Sequence, residues 1–292
     1  MSALRAALGA AAFGTTVLHD TAFEILDAFV SLGGRTIDTA NNYAYWHPGS
    51  VGGDSEAVLG DWLEQRQRSE FTVITKVGSM PFDRDGVRVL EGLSPDAVNA
   101  AVTKSLVQLK TDCIDVLLAH HDRPATPLFD TWTAFSELVA AGKARKVGVS
   151  NFSAPRLAEL IGLIQTHSLA PLTAVQVKYS VIAAVQPSEP ETYPPFDEET
   201  RDVLRSLSPG TVIYAYSPLL GGLYEKPIDE EWPVEYDSPA NRQKVKAIQE
   251  QARQLEVSPS AFVLKQIADD GIIPVTSTSK TERLGNNLRL LR

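Results

Sequence analysis

The stretch Gly33-Gly34-Arg35-Thr36-Ile37-Asp38-Thr39-Ala40-Asn41-Asn42-Tyr43 decides the fold. A short run over 35–38 reads as a strand, and at its end the chain turns polar, delivering Asp38 and then Tyr43. The same grammar recurs outward in both directions. Short apolar runs at 8–12, 35–38, 72–75, 116–119, 146–149, 174–177, 212–214 and 272–274 alternate with amphipathic segments at 21–32, 55–65, 95–109, 128–140, 155–166, 198–206, 242–255 and 259–268. The third of these is typical. Val98, Val102, Leu106 and Leu109 recur at three or four, Ser94 is a good N-cap and Pro95 a good first helical residue. Strands repeatedly followed by helices predict a parallel sheet covered by helices. Six or seven units would suit a doubly wound sheet. Eight, with no linker rich in Ser, Gly or Pro between them, predict one closed (β/α)₈ barrel. Two long segments, 186–197 and 219–239, interrupt the rhythm. They are expected at the C-terminal rim, where they could cover a pocket.

Composition narrows the function classes. The 27 basic and 36 acidic residues leave a net charge of −9, a poor balance for wrapping a phosphate backbone, so no nucleic-acid partner is expected. Cys113 is the one cysteine, which excludes an intramolecular disulfide and a zinc site built on several thiolates. The alanine-rich start reads as a buried first strand rather than a signal peptide. No apolar run reaches the 18 or more residues of a membrane helix, so no membrane partner and a cytoplasmic location are expected.

In a barrel the chemistry sits at the C-terminal ends of the strands. Those positions carry Asp38 with Tyr43 following, Lys76, His120 with His121 beside it, Ser150-Asn151, Gln176, and Tyr216-Ser217. Read singly, each has a bland explanation: a turn cap, an exposed strand end, loop polarity, a packed ring. Read together, they form a set suited to carbonyl reduction. A tyrosine hydroxyl can give a proton to the developing alkoxide, and a lysine ammonium beside it lowers its pKa. An aspartate would hold the lysine, and a histidine would polarise the carbonyl. The hydride would then come from a cofactor. No G-x-G-x-x-G strand–helix unit and no P-loop occurs, so a nicotinamide would be held outside a Rossmann framework. No H-E-x-x-H helix or metal-spaced carboxylate cluster occurs either, and no metal is expected.

These motifs, in this order and over nearly the whole chain, resemble the aldo-keto reductases, barrels that use NADP(H), sometimes NAD(H), without metal or flavin. The resemblance rests on residues 33–43, Lys76 in V-I-T-K-V, I-D-V-L-L-A-H ending at His120, G-V-S-N-F at 148–152, V-Q-V-K-Y-S, A-Y-S-P-L and the stretch 272–287. It implies that Asp38, Tyr43, Lys76 and His120 are catalytic, and favours His120 over His121. It implies that Ser150, Asn151 and Gln176 hold the nicotinamide carboxamide, that Tyr216 stacks on the ring, and that Ser217 and Leu219 contact the pyrophosphate. Arg283 matches the arginine near the 2′-phosphate, and Asn286 and Asn287 match the adenine-binding pair. Asn286 stands where glutamate is common, and Ser277 aligns with a common lysine, so Lys280 could reach the phosphate instead. NADP(H) is favoured, with NAD(H) possible.

The resemblance also implies departures. The hairpin that plugs the barrel bottom in many members looks reduced or absent, and a C-terminal pocket-shaping loop is lacking. On the substrate side, Tyr45 and Trp46, next to Tyr43, would form an aromatic wall, His121 is a further pocket candidate, and Trp232, with Tyr224, would form a lid. The expected activity is NADP(H)-dependent reduction of aldehydes or ketones. The alternatives are an NAD(P)-linked alcohol or sugar dehydrogenase, or a cofactor-binding regulatory subunit with little turnover. The partner is a small carbonyl or alcohol, and the sequence does not set the oligomeric state.

Overall fold

The alternation of buried side chains along each short strand is what shapes the molecule. In the computed structural model, which describes residues 4–84, 86–187 and 189–291, ten strands form. They are β1 (Ala7–Gly9), β2 (Thr36–Asp38), β3 (Thr72–Val77), β4 (Pro81–Arg84), β5 (Val87–Leu90), β6 (Ile114–Ala119), β7 (Ala144–Ser150), β8 (Leu172–Lys178), β9 (Val212–Tyr216) and β10 (Ile273–Thr276). Eight of them close a parallel barrel in the order β1-β10-β9-β8-β7-β6-β3-β2. The helices α1 (His19–Ser31), α2 (Asp54–Glu64), α3 (Pro95–Gln108), α4 (Leu128–Ala140), α5 (Ala154–His167), α6 (Glu198–Leu207), α7 (Pro239–Gln254), α8 (Pro259–Asp269) and α9 (Thr281–Asn287) complete the element order. This is the (β/α)₈ barrel expected from the sequence. No described helix is long and apolar enough to cross a membrane.

Two cores follow from the period of two along a strand. Ala7, Ile74, Val116, Leu118, Ala174, Tyr214 and Val275 pack together inside the barrel. Val73, Val77, Leu117, Val149 and Val175 face the helices with Phe29, Trp62 and Trp132. The inner layer has no spare room at Gly148, where a Cβ would fall 2.1 Å from the Ala174 carbonyl oxygen and 2.7 Å from Leu118. Two residues beyond these inward positions lie the strand ends. Lys76 follows Ile74, His120 follows Leu118, Ser150 follows Gly148, Gln176 follows Ala174, and Tyr216 follows Tyr214. The pleat therefore aims the expected polar set at the barrel axis.

Several details differ from the sequence reading. The barrel strands mostly run one to three residues longer than predicted. Hairpin β4–β5 was not predicted, and α9 was not predicted as a helix. Residues 4–6 lead directly into β1, and Arg5 donates to the Ala268 carbonyl at 2.6 Å. Pro95 and Ser94 act as predicted, with the Ser94 side chain accepting from the Ala97 amide.

Helix α2 buries a carboxyl against the barrel wall. Glu56 is fully buried, its Oε1 accepts from Thr75 Oγ1 at 2.6 Å, and its Oε2 has no partner among the described residues. Burial pushes its pKa up from 4.5 to about 7. Because the folded state holds this proton more tightly than the unfolded chain, its contribution is fully present below about pH 4.5 and is lost as pH rises toward 7. Glu56→Gln keeps the acceptor for Thr75 and removes the titration. Relative to the parent, the variant should gain stability between pH 5 and 8 by on the order of 3 kcal/mol in urea unfolding. A constant difference across that range would place the proton elsewhere.

Candidate active site

Lys76 is the centre of the site. It is fully buried, yet each of its ammonium hydrogens has an acceptor: Asp38 Oδ2 at 2.9 Å, the Thr39 carbonyl at 2.8 Å and the Tyr43 hydroxyl at 3.1 Å. The other aspartate oxygen, Oδ1, accepts from Gln176 Nε2 at 2.7 Å. Burial alone would lower the lysine pKa, but Asp38 and Tyr43 outweigh it and raise it. The pair is thus held ionised by hydrogen bonds on every side, the condition under which a buried ion pair is tolerated. The sequence reading expected Lys76 to lower the Tyr43 pKa. Lys76 does pull that way, but burial outweighs it, and the Tyr43 phenol is held above its ordinary value.

His120 is buried 5.8 Å, ring to ring, from Tyr43. Burial, reinforced by the Lys76 charge, drives its pKa well below 6.5, so it is a neutral imidazole near neutrality. Its Nδ1 has no partner among the described residues. His121 stacks on it at 4.8 Å and is lowered to about 4, chiefly by burial. The arrangement sets a protonated phenol, an ammonium and a neutral imidazole around one point. Such a group can polarise a carbonyl oxygen and give it a proton.

That point opens on a cavity of about 450 Å³. Tyr43, His120, Ser150, Asn151, Gln176 and Tyr216 line it, as do Tyr45, Trp46 and His121 from the expected substrate side. Asn151 donates to Ser150 Oγ at 3.0 Å and accepts from the Tyr216 hydroxyl at 2.8 Å, which ties three of the expected cofactor contacts together. Trp232 is not brought there. It is buried in the outer core with the Arg242 guanidinium 4.8 Å over its ring, because its loop folds back on α7. Tyr224 is also core, its hydroxyl 2.7 Å from Ser180. The lid expected from that loop is therefore not formed by these rings. Instead Tyr193, from the other long loop, lines the cavity with Ser79 and Arg123, which the sequence reading passed over. Arg123 could have been found as the first basic residue after the two histidines.

A second, larger groove of about 1060 Å³ begins where Tyr216 hands over to Ser217. Ser217, Leu219, Ser277, Arg283, Asn286 and Asn287 line it. Gly221 and Gly222, at φ 67° and 90°, present bare backbone to it. Arg283 is exposed and has no hydrogen bond or ion pair among the described residues. Lys280 is exposed at the N-cap of α9 and does not line the groove. Hydroxyls, open backbone, one free guanidinium and an asparagine pair along one trough suit a dinucleotide.

A model of the Aldo/keto reductase family matches residues 5–292. The uncharacterized oxidoreductase YrpG of Bacillus subtilis (strain 168) is 32% identical over 222 residues, covering 75% of this chain and 64% of that protein. Aldo-keto reductase str7 of Strobilurus tenacellus is 33% identical over 224 residues, covering 75% and 57%. An NADH-specific methylglyoxal reductase of Escherichia coli (strain K12) is 29% identical over 206 residues, covering 67% and 56%. In each case the match spans less than two thirds of the relative's own length. In fold, the chain is similar to a thermostable aldo-keto reductase solved with the inhibitor epalrestat, with a TM-score of 0.74 at 23% identity, covering 98% of this chain and 89% of that one.

The ion pair makes a stability prediction. Asp38→Asn strands the Lys76 ammonium in the barrel and should cost about 3 kcal/mol or more in urea unfolding. The double variant Asp38→Asn/Lys76→Met should cost clearly less than the sum of the two singles. Additive losses would mean that the pair is not coupled.

Proposed function

The chain belongs to the aldo/keto reductase family, and from that premise we propose that it reduces an aldehyde or ketone to the alcohol, with NADPH favoured over NADH. The observation that carries this reading is the buried Asp38–Lys76–Tyr43 cluster opening on a cavity shared with His120. A bound nicotinamide would supply the hydride. His120, neutral at working pH, donates a hydrogen bond to the carbonyl oxygen and polarises it. Tyr43 then gives its proton to that oxygen, so that the C=O π bond is replaced by one C–H and one O–H bond. The phenolate left behind is stabilised by Lys76 at 3.1 Å and is reprotonated from solvent. Asp38 keeps Lys76 charged and in place.

Burial keeps the Tyr43 phenol protonated, so it is ready as the acid of the reductive step. For the cofactor, Ser150, Asn151 and Gln176 would hold the carboxamide and Tyr216 would face the ring. Ser217, Leu219 and the bare backbone of Gly221 and Gly222 suit the pyrophosphate, and Asn286 and Asn287 the adenine. The free guanidinium of Arg283 suits a 2′-phosphate, which it can meet with a planar fork, with Ser277 nearby in the groove. Since one relative is NADH-specific by name, cofactor preference is a point to measure.

Tyr43→Phe should retain NADPH binding and lose about 100-fold or more in kcat, since it removes the proton donor and little volume. Turnover near the parent value would assign the proton to another group. Arg283→Ala should raise the Kd for NADPH by about tenfold or more and leave that for NADH little changed, as expected for a charge-assisted contact worth about 1.5–3 kcal/mol. The four tryptophans supply the fluorescence signal. Equal weakening of both cofactors would move the phosphate contact away from Arg283.

A further inference from the structure

The cavity beside Tyr43 is lined by a cation that the reduction does not use. Arg123 lies on the loop leaving β6, two residues after His121. Its Nε donates to the Gly78 carbonyl at 3.2 Å and its Nη2 to Ser79 Oγ at 3.1 Å. These bonds occupy the Nε–Nη2 edge. Nη1 has no partner, and Arg123 forms no ion pair among the described residues. The nearby acids are committed elsewhere. Asp122 is gripped by Arg156 at 2.8 and 2.9 Å. Glu91 accepts from Asn41 at 2.8 Å and from the Gly78 amide at 2.6 Å. Glu189 also lines the cavity but makes no ion pair with Arg123.

Asp122 and Glu91 support the charge of this half-buried guanidinium from a distance, but neither is bonded to it, so its free edge has no direct acceptor. Burial does weigh against its charge. Ser79 fixes its direction, since the same hydroxyl is 2.9 Å from His121 Nδ1, and His121 is stacked on His120. Arg123 and His121 thus share the Ser79 hydroxyl, and His121 in turn stacks on His120. Among the described residues it is the only lysine or arginine lining the cavity, and both histidines are neutral near pH 7. With Glu189 also on the wall, one guanidinium with a free edge suits a single planar carboxylate better than a dianionic phosphate. Tyr45, Trp46 and Tyr193 line the same cavity.

Building on the reductase reading, we propose that the substrate is a carbonyl compound bearing a carboxylate. The carboxylate is gripped by the free Nη end of Arg123, and the carbonyl lies at Tyr43 and His120. The spacer between the two groups is flat or short and lies in the aromatic-lined cavity. A planar carboxylate can take two parallel N–H donors from the end of the fork.

Paired substrates test this with the full chain and NADPH: 4-carboxybenzaldehyde and its neutral twin, methyl 4-formylbenzoate. The ester is the more electrophilic aldehyde, so a preference for the acid would run against intrinsic reactivity. The parent is expected to favour the acid by about tenfold or more in kcat/KM, mainly through KM, as for one charge-assisted contact. In Arg123→Gln the ratio should fall to about one, and Arg123→Lys should restore part of it, as a point charge without the fork. NADPH binding, followed by fluorescence in the separate groove, reports folding of each variant. Should Arg123→Gln fail to bind NADPH, Arg123→Met is measured for the same ratio. If the parent reduces both aldehydes alike, or the preference survives removal of the guanidinium, the carboxylate proposal is overturned and the reductase reading stands. If the parent reduces neither, the reductase reading falls and takes this proposal with it.

Discussion

The constraint on which the rest depends is a charge in the wrong place. An ammonium sits inside a barrel directly above its apolar inner layer, and it can stay only if every hydrogen it carries is met. Asp38 and the Thr39 carbonyl come from the neighbouring strand end, and Tyr43 from the loop beyond. The second oxygen of Asp38 is met by Gln176 on β8, which lies four strands away from β2 in a closed ring of eight. That single hydrogen bond therefore spans the barrel. Satisfying one lysine ties opposite walls together at the end where the cavity opens, so the polar network also closes the top of the apolar core.

The same desolvation sets the protonation states. It favours neutral forms, so Tyr43 keeps its proton and His120 lacks a second one. The Lys76 charge works with burial on His120 and against it on Tyr43. A group poised to yield its proton only when negative charge develops nearby needs this balance. A strongly depressed phenol would have lost the proton beforehand, and a phenol without the ammonium would leave its anion unsupported. On this argument Lys76 contributes more after proton transfer than before it, since the interaction with phenolate is far stronger than with phenol.

The sequence revealed what periodicity and strand ends control. Ile74 and Lys76, Leu118 and His120, and Ala174 and Gln176 share faces because the strand period is two, and a polar residue at the end of such a run has few places to point. Hairpin β4–β5 escaped because its strands are exposed and belong to no repeat, although Gly86 preceded by an aspartate in sequence is a turn signal. Helix α9 is seven residues long, too short for a clear period. Trp232 was misjudged because an aromatic in a long loop carries no information on direction. The loop's return to α7 turned it into core. Arg123 was passed over because a loop arginine is usually solvated, and only three dimensions show that its neighbouring acids are taken.

The site divides between two kinds of support. The cluster around Lys76 stands mainly on strand ends, whose positions the barrel fixes through its hydrogen-bonded register. Tyr193 and Glu189 stand on a long loop, where sequence and shape can change at little cost to the core. Arg123 belongs with the first kind although it is on a loop. It follows β6 by four residues and is bonded to Gly78 and Ser79, which directly follow β3, the strand paired with β6. Its guanidinium is therefore positioned by the same two strands that carry Lys76 and His120. A charge held that firmly relative to the reacting groups sets a distance between an anion and a carbonyl. That distance is a property of the barrel rather than of the loops that enclose it.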